Sequence, residues 1–161
     1  MDKQFFTQEV KQAERSLYRI ARSYLPTDAD AADAVQEALA RAWAKRDVLR
    51  EEQYFRTWLT RIVINACKDE LKRHKRVRLM AEVPEPAPAP PAAARDELSG
   101  ALETLGVKYR VPLVLFYLDG YSIGEISKLL FLPQGTVKNR IFRARKKLRT
   151  YLQQEVFEDE A

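Results

Sequence analysis

The sequence predicts an all-α fold of two small helical domains joined by a flexible linker, and three observations predict it. Apolar residues recur at three- and four-residue intervals along the longer segments, which is the period of an amphipathic helix. No alternation of apolar and polar residues competes with that pattern. The stretch VPEPAPAPPAAARDE then separates two helical groups, because proline fixes φ and removes backbone donors. We therefore expect domains at 1–80 and 98–154, a Pro/Ala-rich linker at 81–97 and an acidic tail at 155–161.

Three helices are predicted in the first domain. The first spans residues 5–25 and ends before Pro26, which cannot continue it. Thr27 or the next residue can cap the second helix, which spans 29–47 and carries acids towards its N-terminus, as the helix dipole favours. A loop then leads into the third helix, which spans 54–79. Apolar positions recur with helical period in all three, so they are expected to form one bundle.

The second domain is predicted to end in a helix-turn-helix. Two short helices in ELSGALETL and VPLVLFYLDG precede it, and Gly120 ends the second of them. Ser122 stands at an N-cap position and Glu125 follows three residues later, which is the pattern of a capping box. Leu132 and Pro133 mark the turn. The second helix of the motif is expected to run from Gln134 to about Leu148.

That last helix is strongly basic. Residues 132–149 contain seven Lys or Arg and no acid, while Val137, Ile141, Ala144 and Leu148 form one apolar stripe. A helix fits the major groove of B-DNA, where Arg, Lys, Asn and Gln read base edges. The side chains left outside the stripe are Gln134, Thr136, Lys138, Asn139, Arg140, Phe142 and Arg143. Further along, Lys146, Lys147 and Arg149 are expected to meet phosphates or water rather than bases. The alternative is a solvated helix of a helical hairpin, with Phe142 in a neighbouring core.

The third helix of the first domain has a different polar face. It places Arg61, Asn65, Lys68 and Lys72 at three- to four-residue steps, with Trp58 one turn earlier. Aromatic, amide and cationic groups together suit the capture of single-stranded DNA, because bases stack and cations hold the backbone. The spacing leaves an alternative equally open, in which Trp58 belongs to the core and Asn65 is only solvated.

Composition excludes several classes of protein. The sequence shows no nucleophile with a base, no acid–base pair and no metal-ligand cluster, so we expect no enzyme activity, no metal and no cofactor. His74 stands alone in a basic run and is expected to face solvent or phosphate, and Cys67 is expected to be a small core residue. No apolar run approaches the roughly 18 residues of a membrane helix. The charged N-terminus predicts no signal peptide, and a cytoplasmic protein is expected.

Three linked motifs carry a family resemblance. DAADAVQEALARAW, FRTWLTRIVINACKDELKR and YSIGEISKLLFLPQGTVKNRIFRARKKLR follow one another at the spacing found in extracytoplasmic-function (ECF, group IV) sigma factors of the sigma-70 family. The resemblance implies a sigma-2 and a sigma-4 helical domain joined by a flexible linker. It implies binding to core RNA polymerase, recognition of the −35 and −10 promoter elements and promoter melting. It also implies a stress or envelope response, an anti-sigma factor that holds the protein inactive, and a monomer when free.

The resemblance assigns roles by position. It implies docking on the clamp helices of the largest polymerase subunit through Asp33, Gln36 and Glu37. It implies that the −10 element is contacted by Tyr54, Arg56, Trp58, Arg61, Asn65, Lys68 and Lys72. The loop at 49–54 would receive a flipped base. The −35 element is read by the outer face of the basic helix. The other side of sigma-4 is expected to sit on the polymerase beta flap through apolar residues such as Leu113 and Phe116.

The sequence departs from the family pattern at two positions of the turn. Phe131 stands where the family commonly has Gly, at a position that tends to need a positive φ, and Ser127 stands where Ala is common. We therefore expect a turn that is distorted or differently packed. Two rival functions remain open at this stage. One is a stand-alone transcription regulator whose first domain dimerises, and the other is a protein-interaction module whose basic helices bind an acidic protein.

Overall fold

The chain folds as two compact units, Met1–Val83 and Pro84–Ala161. The computed structural model describes residues 1–84 and 97–160, and it describes side chains as far as 153. Those residues form helices and turns and contain no strand. The all-α prediction and the arrangement as two helical domains are therefore confirmed. The domain boundaries stay a prediction, and most of the expected linker, 85–96, lies outside the described residues.

Unit 1 is a three-helix bundle. Its helices are α1 (Lys3–Tyr24), α2 (Asp28–Ala44) and α3 (Phe55–Met80), with short 3₁₀ turns at Arg46–Val48 and Glu52–Tyr54 between the last two. Asp2 caps α1 by accepting a 2.7 Å hydrogen bond from the amide of Phe5, and Thr27 caps α2 by accepting one from the amide of Asp30. The predicted cap at Thr27 is confirmed, so local side chains fix where α2 begins.

The core of unit 1 lies where α3 packs on both α1 and α2. Leu59 and the adjacent pair Val63 and Ile64 are fully buried on α3, whereas Ile62 and Leu71 are half-buried. The reason is that α3 contacts two helices at once, so its buried surface is wider than one stripe. Aromatic rings close one end of the bundle with centroids 5.1–5.8 Å apart: Phe5, Phe6, Trp43, Phe55 and Trp58.

The described residues of unit 2 form four helices, and the last one is longer than predicted. They are α4 (Glu97–Glu103), α5 (Val107–Tyr117), α6 (Ile123–Leu130) and α7 (Gln134–Glu160). The core between α5, α6 and α7 contains Val111, Leu115, Ile126, Leu129 and Val137. The backbone of α7 continues past Leu148 to Glu160, through most of the stretch expected to be a tail. No local breaker such as Gly or Pro follows Leu148, so nothing in the sequence ends the helix there.

Cys67 offers a direct test of the unit 1 core. It is fully buried on α3, which confirms its predicted place in the core. Burial, with a smaller contribution from the Glu70 charge, raises the pKa of its thiol to about 12. Because the thiolate is the nucleophile, we expect iodoacetamide at pH 8 to modify the native protein far more slowly than the protein unfolded in urea. Mass spectrometry over time measures both rates, and equal rates would contradict the buried placement.

Candidate functional site

The outer face of α7 has the exposure that a DNA-reading helix needs. Val137, Ile141 and Ala144 are buried as predicted. Phe142 is 66% exposed, so the alternative that places it in a neighbouring core does not fit unit 2. Of the predicted −35 residues, those exposed with it are Gln134, Lys138, Asn139 and Arg143, whereas Thr136 and Arg140 are half-buried at the edge. The helix thus presents amides, cations and one ring on a single surface.

Local hydrogen bonds fix the start of α6, the first helix of the helix-turn-helix. The hydroxyl oxygen of Ser122 accepts from the amide of Glu125 at 3.1 Å, and the Glu125 carboxylate accepts from the amide of Ser122 at 3.0 Å. This is the predicted capping box, which is confirmed. It satisfies amide donors at the start of α6 that have no partner within the helix.

The turn between α6 and α7 is regular in spite of its residues. Phe131 ends α6 with φ 55° and ψ 46°, the left-handed conformation that favours glycine. The turn follows the usual helix-ending pattern, in which the amide of Leu132 donates to the carbonyl of Ser127. The Ser127 hydroxyl in turn donates to the Leu132 carbonyl. The expected distortion is therefore not found, and the two unusual residues act at the same turn: Phe131 strains it and Ser127 adds a hydrogen bond across it.

Replacing Phe131 by glycine should stabilise unit 2. A non-glycine residue in the left-handed region costs about 1–2 kcal/mol. Glycine removes that strain, but it costs about 0.5–1 kcal/mol itself, because its more flexible backbone loses more entropy on folding. The ring is 72% exposed, so little packing is lost. We expect Phe131→Gly to raise the free energy of unfolding by about 0.5–1 kcal/mol, measured by urea denaturation. Phe131→Ala is the matched control, since it removes the ring but keeps the strain. An equal gain from alanine would show that strain is not the cause.

The predicted −10 residues lie along α3 and the turn before it. Tyr54, Arg56, Asn65 and Lys72 are exposed, and Trp58, Arg61 and Lys68 are half-buried. The Trp58 ring packs on Phe55 with centroids 5.8 Å apart, so it belongs partly to the core and partly to the surface. Tyr54 is 57% exposed at the N-terminus of α3. An exposed phenol ring beside a cationic helix face can stack on an unpaired base.

An acidic face on α2 adjoins a polar groove. Asp33, Gln36 and Glu37 are all exposed, as expected for a docking surface. Asp33 and Glu37 line a groove of about 550 Å³ between α2 and α3. Within it Arg41 bonds to Glu37 at 3.2 Å and to Asp69 at 3.0 Å, which ties the two helices together.

His74 is not the isolated solvated side chain that the sequence suggested. Its Nε2 lies 2.8 Å from the carboxylate of Glu70, one helical turn away. Arg73 bonds to the same carboxylate and is the largest cause of a lowered Glu70 pKa. Asp30, Glu70 and His74 bring possible ligand atoms within 4.8 Å of one another. The Glu70 carboxylate is already engaged by two cationic or hydrogen-bonding partners, which compete with any cation for it.

Sequence reasoning missed an apolar groove in unit 2. It has a volume of about 840 Å³ and lies between α4, α5 and α7. Its lining is Leu98, Leu102, Leu113, Val114, Tyr117, Leu118, Arg145, Leu148, Arg149, Leu152 and Gln153. Leu113 was expected on this surface and contributes to it, whereas Phe116 is half-buried and does not line the groove. The step from Leu148 to Leu152 continues the helical period and was the available signal. Among the described helices, none is long and apolar enough to cross a membrane.

The fold and these surfaces define a class: a two-unit helical DNA-binding protein whose second unit carries a helix-turn-helix. Family comparison agrees with each unit separately. Residues 10–77 match Sigma-70 region 2, and residues 95–148 match Sigma-70 region 4. The chain belongs to the ECF RNA polymerase sigma factors of the sigma-70 family. The resemblance found in the sequence is confirmed.

Relatives align along nearly the whole chain. The ECF RNA polymerase sigma factor SigM of Mycobacterium tuberculosis is 35% identical over 151 residues, covering 91% of this chain and 76% of the relative. The ECF RNA polymerase sigma-E factor of Escherichia coli is 30% identical, covering 89% and 84%. The sigma factor RpoE of Bartonella quintana, solved in complex with the anti-sigma factor NepR, is 28% identical with a TM-score of 0.78, covering 92% of this chain and 96% of that chain.

Proposed function

We propose that this chain directs core RNA polymerase to promoters by reading a −35 element with α7 and capturing the opened −10 element with α3. The observation that carries the proposal is the exposed polar face of α7, with Phe142 solvent-facing beside Lys138 and Asn139 on a capped helix-turn-helix. Such a face suits duplex DNA, because its groups match the donors and acceptors of the major groove.

The α3 surface supports the second half of the proposal. It offers Tyr54 and part of Trp58 for stacking, and Asn65 for an amide contact. Extruding a base costs a few kcal/mol, and stacking with hydrogen bonds to the free base offsets it. The two units then have different roles. Unit 2 holds duplex DNA and unit 1 holds unpaired bases, while the polymerase performs the chemistry. The chain itself would then be no enzyme and would act in the cytoplasm.

Two surfaces are available for the polymerase. The exposed acidic face at Asp33, Gln36 and Glu37 supports docking on the clamp helices of the largest subunit. The apolar groove of unit 2 supports docking of a short amphipathic segment such as the beta flap, because Leu98, Leu118 and Tyr117 leave apolar surface exposed at it. Apolar surface of this kind in a folded unit marks an interaction site.

An anti-sigma factor is the proposed inhibitor. One similar solved structure contains such a factor, RpoE with the anti-sigma factor NepR. Another is CnrH in complex with the cytosolic domain of CnrY, 28% identical with a TM-score of 0.68. We propose that a protein of this kind covers polymerase-binding surfaces of this chain. A sigma factor is expected to be a monomer when free, whereas the rival transcription regulator would be a dimer. Gel filtration measures the oligomeric state and so distinguishes the two functions.

In vitro transcription tests the proposal. Core polymerase with this chain is run on a library of genomic fragments, and the transcript starts are mapped. We expect starts that core polymerase alone does not make, sharing two sequence elements at a fixed spacing upstream. Absence of any new start would overturn the proposed function. A protected operator with two half-sites about one helical turn apart would favour the dimeric regulator instead.

A further inference from the structure

Three possible metal ligands converge from two helices of unit 1. Asp30 lies in the first turn of α2, whereas Glu70 and His74 lie one turn apart on α3. Each offers one ligand atom, a carboxylate oxygen or an imidazole nitrogen, and these atoms all lie within 4.8 Å of one another. All three side chains are half-buried. The packing of α2 on α3 therefore assembles a mixed oxygen and nitrogen cluster from residues that are far apart in the sequence.

The ligand types and their spacing suit a divalent transition-metal ion. Imidazole nitrogen and carboxylate oxygen bind Zn²⁺ at about 2.0–2.2 Å, so neighbouring ligands of a tetrahedral ion are about 3.3–3.5 Å apart. The Nε2 of His74 lies 2.8 Å from the Glu70 carboxylate, and no pair in the cluster exceeds 4.8 Å. Residues four apart share one face of a helix. Small side-chain rotations would therefore bring all three ligand atoms to the distances that an ion requires.

The partners of Glu70 leave one of its oxygens available to an ion. Arg73 bonds to Oε2, whereas the Nε2 of His74 lies 2.8 Å from Oε1. A metal binds the neutral imidazole, so an ion between Oε1 and His74 replaces only the proton that they share. The bond from Arg73 can then remain and orient the carboxylate, as the outer partners of metal ligands commonly do. Competition for Glu70 is thus confined to one proton.

The charge of the cluster also favours a divalent ion. Asp30 and Glu70 together contribute two negative charges, which a neutral imidazole leaves uncompensated. Arg73 interacts electrostatically with Asp30 and forms an ion pair with Glu70, so its single positive charge is shared between two acids. A divalent ion would bring the ligands and the charges into balance.

We propose that Asp30, Glu70 and His74 form a binding site for a divalent transition-metal ion such as Zn²⁺, with water completing its coordination. The ion would join the first turn of α2 to the middle of α3 and so stabilise unit 1. This site does not rest on the proposed function, and none of its three residues is assigned there to DNA or to polymerase.

His74 makes the site directly observable, because it is the only histidine in the chain. The full chain is stripped with a chelator and titrated with Zn²⁺ while the imidazole proton signals are followed by nuclear magnetic resonance. We expect these signals to shift and to saturate at one ion per chain. Cys67 is fully buried, so its thiol does not offer a competing ligand in the folded protein. Imidazole signals that stay unmoved in a large excess of Zn²⁺ would overturn the proposal.

Substitutions test the two carboxylates. Losing an outer partner of a metal ligand typically costs about 10–100-fold in affinity, and losing a ligand should cost at least as much. We therefore expect Asp30→Asn and Glu70→Gln each to weaken Zn²⁺ binding by about 10-fold or more, measured by titration calorimetry. Asp33→Asn is the matched control, the same change at an exposed position one turn further along α2. It should keep the wild-type affinity, and an Asp30→Asn variant that also kept it would contradict the three-residue site.

Stability gives a second measurement. An ion that binds the folded state should raise the urea midpoint of unit 1, and the rise should grow with the logarithm of the free Zn²⁺ concentration. Both tryptophans belong to unit 1, so their fluorescence reports this midpoint and verifies that each variant is folded. Asp30→Asn should lose most of the rise, whereas Asp33→Asn should keep it. An equal rise in both variants would show that Zn²⁺ acts elsewhere, and it would leave the sigma function untouched, since neither DNA nor polymerase is present.

Discussion

Charge reversal at Lys138 or Arg61 should reduce initiation at a mapped promoter by about 10-fold or more for each change, since a contact to a base or a phosphate is typically worth about 1–3 kcal/mol. Lys138 is exposed on the outer face of α7, and Arg61 is half-buried on α3. An acid in place of either would also repel the DNA phosphates. The double variant Lys138→Glu with Arg61→Glu should give no promoter-specific starts, measured by run-off transcription.

A premelted template separates the two roles. If Arg61 acts in opening and holding the −10 element, then DNA already unpaired there should restore much of the activity of Arg61→Glu. Lys138→Glu should gain little from the same template, because its contact is to duplex DNA upstream. Lys11→Glu on α1 and Lys128→Glu on α6 are controls of equal charge change at exposed positions. Equal losses from the controls would show that net charge, and not these two contacts, governs initiation.

Ile126→Ala should unfold unit 2 selectively. Ile126 is fully buried on α6 between α5 and α7. Truncating such a side chain costs about 2–5 kcal/mol, whereas a unit of about 80 residues has a total stability of roughly 4–12 kcal/mol. The helix-turn-helix would lose much of its stability, and initiation that needs the −35 element would fall with it.

The two units can be followed separately in that experiment. Both tryptophans, Trp43 and Trp58, belong to unit 1, so tryptophan fluorescence follows unit 1 while far-ultraviolet circular dichroism follows both. For Ile126→Ala we expect the fluorescence midpoint in urea to stay constant while part of the dichroism is lost at lower urea. Ile64→Ala, at a fully buried position of unit 1, is the matched control and should shift the fluorescence midpoint instead. A fluorescence shift caused by Ile126→Ala would show that the units unfold together.

Features set by short stretches of chain could be predicted from the sequence. The cap at Thr27, the capping box of Ser122 and Glu125, and the buried stripe beginning at Val137 each depend on residues within one or two helical turns. The same local signals located the helix-turn-helix and its outer face. Phe131 was predicted to need a positive φ and has one, although the surrounding turn is regular where distortion was expected.

Features set by packing between helices could not be predicted. The Lys147 ammonium lies 4.1 Å from the centre of the Tyr109 ring, which needs α5 to lie beside α7, and nothing in the local sequence places these two residues together. The apolar groove likewise requires residues of α4, α5 and α7 to come together. His74 was misjudged because a lone histidine among cations gave no hint that Glu70, one turn earlier, would be turned towards it.

Because α7 is one continuous helix, it connects the two surfaces of unit 2 rigidly. At about 1.5 Å per residue, this helix is roughly 40 Å long, with the groups proposed to face DNA near its start and the groove-lining Leu148 and Leu152 further along. A protein that binds one end of a stiff helix therefore also constrains the direction of the other end. A protein that occupied the groove would therefore also set the angle at which Lys138 and Asn139, in the proposed function, approach the double helix. A proline introduced between the two ends would break that mechanical link, because it interrupts the helix.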